Sequence, residues 1–164
     1  MIKENQSLSL GYGLHSQIQP RSVYFYKEYN RNTGTYAENN LDLKFTRSHQ
    51  YVLGYDLHLG KDFRIKSEAY YQQLFNVPVS RVNNEFSMLN AGSGYYIQRF
   101  DSLQNTGKGR NYGVELTVEK FLSDGYYALM TVSLYDSKYQ GFDKVWRNTA
   151  FNSNFAVNVL AGYE

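Results

Sequence analysis

The sequence predicts an all-β fold, an antiparallel up-and-down meander of about six long strands. Uncharged, mostly apolar residues recur at every second position, and side chains along a strand point alternately to its two faces. Between Phe63 and Phe75, the residues Phe63, Ile65, Ser67, Ala69, Tyr71, Gln73 and Phe75 carry no charge, while those between them begin Arg64, Lys66 and Glu68. No stretch of about a dozen residues shows the 3.6-residue apolar repeat and caps of a helix. The connections alternate between tight turns and long polar loops.

The first strand is Ser7 to Ser16, with Leu8, Leu10, Tyr12 and Leu14 opposite Ser7, Ser9, Gly11, Gly13 and His15. A polar loop follows from Gln17 to near Asn40. Tyr51, Leu53, Tyr55, Leu57 and Leu59 mark the second strand, whose alternation is traceable back to Leu41. Gly60-Lys61-Asp62 turns into the third strand, expected to end near Phe75, and a second long loop with Pro78 is expected from Asn76 to Lys108. In the fourth strand Tyr112, Val114, Leu116 and Val118 oppose Asn111, Gly113, Glu115, Thr117 and Glu119. Asp124-Gly125 supplies the positive φ angles of a two-residue hairpin turn. The fifth strand sets Tyr126, Ala128, Met130, Val132 and Leu134 on one face. A shorter loop through Gly141, Trp146 and Asn148 leads to the last strand, with Phe155, Val157, Val159, Ala161 and Tyr163 on one face.

Alternation is compatible with a soluble two-sheet core, a β-sandwich serving as a carbohydrate-binding or adhesin module. Three features favour lipid instead. The strands are expected to run about 11 to 14 residues, against the usual five or six, and match a tilted crossing of hydrocarbon. Their uncharged faces carry no Lys, Arg, Asp or Glu over about five successive positions, where a charge would cost roughly 2–4 kcal/mol at the bilayer midplane. Short turns at one end, long loops at the other, and aromatics beside the turns (Phe63, Phe121, Tyr126) also fit a partial transmembrane β-barrel. Asp56, Arg64, Lys66, Glu68, Glu115 and Glu119 on the opposite face then line a hydrated lumen.

The 164 residues allow one domain, and the formal charge of +2 gives no reason to expect nucleic acid. Cysteine is absent, so no disulfide supports the fold. No run of eighteen apolar residues forms a membrane helix. Met1 to Glu4 opens without the apolar core of a signal peptide. The alternation still runs at Gly162-Tyr163-Glu164, and six strands are fewer than the eight with which natural single-chain barrels begin. The expectation is therefore a segment, residues 1–164, of a larger barrel, with open edges that could pair copy to copy.

Gly11-Tyr12-Gly13-Leu14-His15-Ser16-Gln17-Ile18-Gln19-Pro20 and the run from Gly109 to Phe121 resemble stretches in the barrels of TonB-dependent outer-membrane receptors of Bacteroidetes-type bacteria. Gly125-Tyr126-Tyr127, Ser133 to Tyr139 and Trp146 to Asn152 extend the resemblance over nearly the whole chain. It implies a plug domain inside a barrel of about twenty-two strands in the bacterial outer membrane, taking up bulky nutrients with energy relayed by TonB. The implied partners are outer-membrane lipid, the remaining strands, the plug, and TonB acting through that plug. The chain itself is expected to contain neither the plug nor the TonB-contacting box.

Chemistry beyond transport finds little support. His15, His49 and His58 lack metal-ligand spacing, and no cofactor or metal is expected. Gly107 to Gly113 opens a strand, unlike a phosphate loop. Glu115 and Glu119 share a strand face as a hydrolase pair would, but read as solvated lumen charge balanced by Arg64 and Lys66. No enzymatic constellation emerges. Tyr95, Tyr96 and Arg99 in the second long loop, with Trp146 in the third, are the ligand-contact candidates, Trp146-Arg147 reading first as a loop anchor.

Overall fold

The structure is a computed structural model that describes residues 4–91 and 102–164. Its strands are β1 (Gln6–Gln17), β2 (Glu28–Asn30), β3 (Thr35–Ala37), β4 (Thr46–Leu59), β5 (Phe63–Ser80), β6 (Leu103–Ser123), β7 (Tyr126–Gln140), β8 (Trp146–Asn148) and β9 (Phe155–Tyr163). The six long strands form one antiparallel meander in the order β1-β4-β5-β6-β7, with β8 and β9 both pairing with β7. β8 meets the far end of β7 at residues 138–140 and β9 meets residues 126–134, so together they form one strand interrupted at 149–154. Asn154, at φ 66°, returns the chain to the ladder.

The turns explain the register. Asp124 and Gly125 have φ of 54° and 79°, and Ser123 pairs with Tyr126, so this is the two-residue hairpin that Asp-Gly favours. Gly60, at φ 68°, opens the other tight turn. Both short turns lie at one end of the sheet. The connections 18–45 and 141–154 lie at the other, as do residues 81–91.

Four departures from the sequence reading have physical causes. β5 continues through Pro78 to Ser80, and β6 begins at Leu103, so the second loop is shorter than its composition implies. Register shifts between Leu74 and Val79, with Asn76 at φ 55°, accommodate the proline that a regular ladder would reject. Val77 and Val79, both 0% exposed, hold this extension together. β4 starts at Thr46, and 41–45 belongs to the loop. The first connection contains a one-turn helix, α1 (Arg21–Tyr24), and the β2–β3 hairpin, both below the length at which sequence periodicity is legible. The six long strands span 9 to 21 residues, a wider range than alternation alone suggests.

Most buried side chains lie at the long-loop end of the sheet, on strand ends and on the loops that fold against them. Val23, Leu43 and Leu103 form a small core with Tyr24, Phe86 and Met88 packed on it. Asn40 is fully buried there: its Nδ2 donates to the Val23 carbonyl at 3.0 Å, and the Leu103 N–H donates to its Oδ1 at 2.8 Å. Asn105 bonds Lys44 through both main-chain groups and also donates to the Asn76 carbonyl. The first long loop is thus pinned to the ends of β5 and β6 by side-chain amides.

The apolar face of the sheet has no protein over it among the described residues. Leu10 is 83% exposed and Val159 72%. No second sheet meets this face, so the soluble-sandwich expectation fails: the residues it needed for a core point away from any other layer.

Gly113 marks a tight point of the long ladder, opposite Tyr70 and Tyr135. A Cβ there would stand 2.6 Å from the Leu134 carbonyl oxygen and 2.9 Å from the Tyr70 hydroxyl. Gly113→Ala should therefore destabilise the fold by about 1–3 kcal/mol, as overpacking does. Urea unfolding of the detergent-solubilised protein, followed by circular dichroism, measures it; an unchanged midpoint would contradict the packing described.

Candidate functional site

Register converts alternation into rows that run across the strands. On the polar face, His58–Arg64–Glu119–Leu129–Leu160 lies nearest the short turns, followed by Ser7–Asp56–Lys66–Thr117–Thr131–Asn158 and Ser9–Gly54–Glu68–Glu115–Ser133–Ala156. All six residues expected to line a lumen, Asp56, Arg64, Lys66, Glu68, Glu115 and Glu119, fall in these three rows. Arg64 Nε donates to both Asp56 carboxylate oxygens at 3.0 and 3.1 Å, and Arg64 Nη1 lies 3.8 Å from Glu119. His58 Nε2 is 3.4 Å from Asp56. Lys66 meets Glu68 along its own strand at 2.6 Å, and Ser133 Oγ donates to Glu115 at 2.8 Å. These groups are partly hydrated, so their main effect is to fix geometry.

Toward the long loops the polar face changes chemistry. The next rows are Gly11–Val52–Tyr70–Gly113–Tyr135 and Gly13–Gln50–Gln72–Asn111–Ser137. Neutral hydrogen bonds cross five chain segments here. Gln72 Nε2 donates to Ser48 Oγ at 3.3 Å, Asn111 Nδ2 to Gln72 Oε1 at 2.8 Å, Ser137 Oγ to Asn111 Oδ1 at 2.7 Å, and Thr149 Oγ1 to Ser137 Oγ at 2.9 Å. Gln50, Tyr70, Gln72, Asn111, Tyr135, Asp136, Ser137 and Phe151 line a hollow on this face. Its carboxamides and phenols offer mostly neutral hydrogen-bonding groups. The sequence reading looked for charge on this face and passed over the ladder, because Gln, Asn and Ser at alternate positions read only as "polar" until register aligns them.

The uncharged face is also layered. Tyr12, Tyr51, Tyr71 and Tyr112 form one row across four strands, with the Tyr12 and Tyr51 rings 5.1 Å apart. Below them come Leu10–Leu53–Ala69–Val114–Leu134–Phe155, then Leu8–Tyr55–Ser67–Leu116–Val132–Val157, then Leu57–Ile65–Val118–Met130–Val159. Tyr126 pairs with Tyr163 beyond the opposite end of this band. Along β7, the stretch from the tyrosine row to Tyr126 covers about 33 Å at ~3.3 Å per residue, or ~25 Å in height at a ~40° tilt. That is the height of a membrane barrel's apolar band. The aromatic residues beside the short turns were legible in the sequence; the second aromatic row was not, because its four tyrosines are scattered from position 12 to 112.

Tyr95, Tyr96 and Arg99 lie outside the described residues. Trp146 pairs with Gln140 at the end of β7, and the Arg110 guanidinium carbon stands 4.6 Å from its ring centroid. Its neighbour Arg147 grips Asp143 through two nitrogens, at 2.9 and 2.6 Å, and lies 3.8 Å from Glu85 of the preceding loop. The Arg147 guanidinium, followed by the Val145 N–H, holds the Asp143 carboxyl at about 2. No group of three or more candidate metal ligands occurs among the described residues.

The Asp143 pairing fixes the sign of a pH effect. Its acidity is greater in the folded loop than in an unfolded chain, where Asp titrates near ~3.9. The pair therefore contributes fully above that value and is lost as pH falls through about 2. Carboxyl-carbon NMR should find Asp143 titrating near the folded value, and Arg147→Gln should move it up toward the ordinary one. An Asp143 titration already near ~4 in the unsubstituted protein would contradict the pairing.

No match to a curated protein was found for the chain. A family model described as TonB dependent receptor-like, beta-barrel, matches residues 3–163. That is nearly the full length, and it agrees with the open meander of long strands and the layered uncharged face. The family consists of outer-membrane receptors and not enzymes. The chain therefore belongs to the β-barrel family of TonB-dependent receptors of the bacterial outer membrane.

Proposed function

We propose that this chain forms consecutive strands of a receptor barrel that imports a bulky nutrient, with its rowed polar face turned to the lumen and its long loops at the cell surface. The observation that carries this is the sheet itself: one face is apolar between two aromatic levels, and the other carries ion pairs and an amide ladder. Lipid suits the first and water the second. Asp56, Arg64, Lys66, Glu68, Glu115 and Glu119 then line the half of the lumen nearer the periplasm, and the hollow under Phe151 faces the entry side. Tyr95, Tyr96 and Arg99 are assigned to ligand capture. Trp146 is assigned to anchoring the third loop, since its ring packs against Arg110.

The barrel is completed by strands outside the described sheet, because the free edges of β1 and β9 would otherwise leave backbone groups unpaired in hydrocarbon, at several kcal/mol each. A plug within that barrel and TonB acting on the plug follow from the family. The Gly11–Pro20 and Gly109–Phe121 stretches support the Bacteroidetes type of receptor.

Face assignment is directly testable. Leu116→Arg, in the middle of the apolar band, should destabilise the membrane-inserted protein by about 2–4 kcal/mol, whereas Thr117→Arg on the opposite face should change it by less than ~1 kcal/mol. Equal costs at the two positions would reverse the assignment. For transport, gene disruption should abolish growth on one of a panel of siderophores, cobalamin-like compounds, glycans or peptides. Dissipating the inner-membrane proton gradient should abolish the same uptake, and uptake that survives both treatments would refute the function.

A further inference from the structure

The amide ladder of the polar face has one direction. Thr149 donates to Ser137, Ser137 to Asn111, Asn111 to Gln72 and Gln72 to Ser48. A primary amide carries two N–H groups and an oxygen with two lone pairs. Gln72 and Asn111 each commit one N–H and one lone pair to the ladder, which leaves one of each on both side chains. Gln50 and the hydroxyls of Tyr70 and Tyr135 stand in the same hollow with no hydrogen-bond partner among the described residues.

An aromatic ring is fixed beside these groups. Residues 149–154 interrupt the strand formed by β8 and β9, and Phe151 lies within that excursion. Both of its flanks are tied to one residue of β7. The Thr149 N–H donates to the Ser137 carbonyl at 2.9 Å, and the Ser137 N–H donates to Asn152 Oδ1 at 3.1 Å. Phe151 is exposed, yet it lines the hollow together with Gln50 of β4. The ring is held in place before any ligand arrives, which lowers the ordering cost of binding.

The lining discriminates between ligand classes. It contains no Lys or Arg, and its one acid, Asp136, already has Lys138 at 3.3 Å. An anion would lose water beside a carboxylate with no cation in the wall. A cation would find that carboxylate partnered. An apolar ligand would leave the spare amide and phenol groups dry and unpaired. A neutral polyhydroxylated molecule satisfies them, because each hydroxyl both donates and accepts. The C–H face of a sugar ring also packs on an aromatic ring such as that of Phe151. Gln50, Gln72, Asn111 and Ser137 stand on successive strands from β4 to β7, so they extend over ~14 Å at ~4.8 Å per strand. That is longer than one sugar ring.

We propose that this hollow, about 300 Å³ in volume, is a binding site for a neutral oligosaccharide. The sugar lies across β4 to β7 with its hydroxyls on the Gln72–Asn111 ladder and one ring against Phe151. The bulky nutrient of the preceding section is then of this class, and the inference rests on that receptor reading and its lumen-facing assignment.

The test is calorimetric titration of the full receptor purified in detergent. The probes are neutral α-glucan, β-glucan and mannan oligosaccharides, the sulfated form of each, and a ferric catechol chelate. One neutral oligosaccharide should bind about tenfold or more tightly than its sulfated form and than the chelate. Asn111→Leu removes the amide at similar volume and should weaken that binding by about tenfold. Phe151→Ala should weaken it by roughly fivefold, and Phe151→Tyr should restore it. Lys61→Gln in the short turn should leave it unchanged. If Asn111→Leu fails to insert, the two substitutions at exposed Phe151 carry the test. Preference for a sulfated sugar or the chelate, or affinity indifferent to the Asn111 and Phe151 changes, overturns the site. Binding of no neutral oligosaccharide overturns the ligand class, and proton-gradient-dependent uptake of another nutrient then leaves the receptor reading standing. Uptake that survives loss of the gradient fails that reading separately.

Discussion

The structure depends on a single-layer sheet whose ladder hydrogen bonds must hold without a second protein layer. In a globular domain, apolar faces meet each other and their burial carries most of the stability. Here the largest apolar surface meets no protein among the described residues, and most buried side chains sit at the long-loop end of the sheet. The sheet is therefore stable only in a solvent that accepts Leu10, Leu53, Val114 and Leu134 and offers no competing hydrogen bonds to the backbone. Hydrocarbon is that solvent, and it strengthens the ladder by excluding water from it.

Once lipid is the solvent, position along the strand acquires chemical meaning. Each row brings residues distant in sequence side by side, so neighbours within it experience nearly the same medium. Tyrosines from four neighbouring strands gather at one end of the apolar band because a phenol joins an apolar ring to a polar tip. Beyond them charge becomes tolerable, and the same parity that carries Leu and Val carries Arg110 and Lys138. The polar face has its own gradient. Ion pairs among Asp56, Arg64 and Glu119 occupy the half near the short turns, and a neutral amide ladder occupies the half near the loops.

The architecture was legible in the sequence because alternation with period two survives without any partner information. Six long strands, the Asp124-Gly125 hairpin and the sidedness of the turns follow from residues close together in the chain. The tyrosine row and the Gln72–Asn111–Ser137 ladder depend on which strand positions face each other, which is a nonlocal quantity. Pro78 was misleading for a related reason: it breaks a regular ladder but fits a strand whose register shifts beside it. The helix at Arg21–Tyr24 was illegible because four residues carry no periodicity. Trp146 read as a loop residue, and its partner Arg110 lies thirty-six positions upstream in another strand.

The width of the barrel follows from the polar face. In a narrow barrel, inward side chains fill the interior and charged groups would need complete burial, which is costly even for paired ions. Arg64 and Lys66 instead keep 35% and 37% of their side-chain surface accessible while paired. Tyr70 and Tyr135 flank Gly113 on the same wall, projecting where a tight interior would leave no room for two phenols. Rolling six strands into a closed tube would force these rings and charges across a small diameter. A gently curved sheet within a wide barrel lets each row remain hydrated. In the proposed receptor barrel the free edges of β1 and β9 meet further strands and not each other, which keeps the curvature small enough to hydrate Arg64.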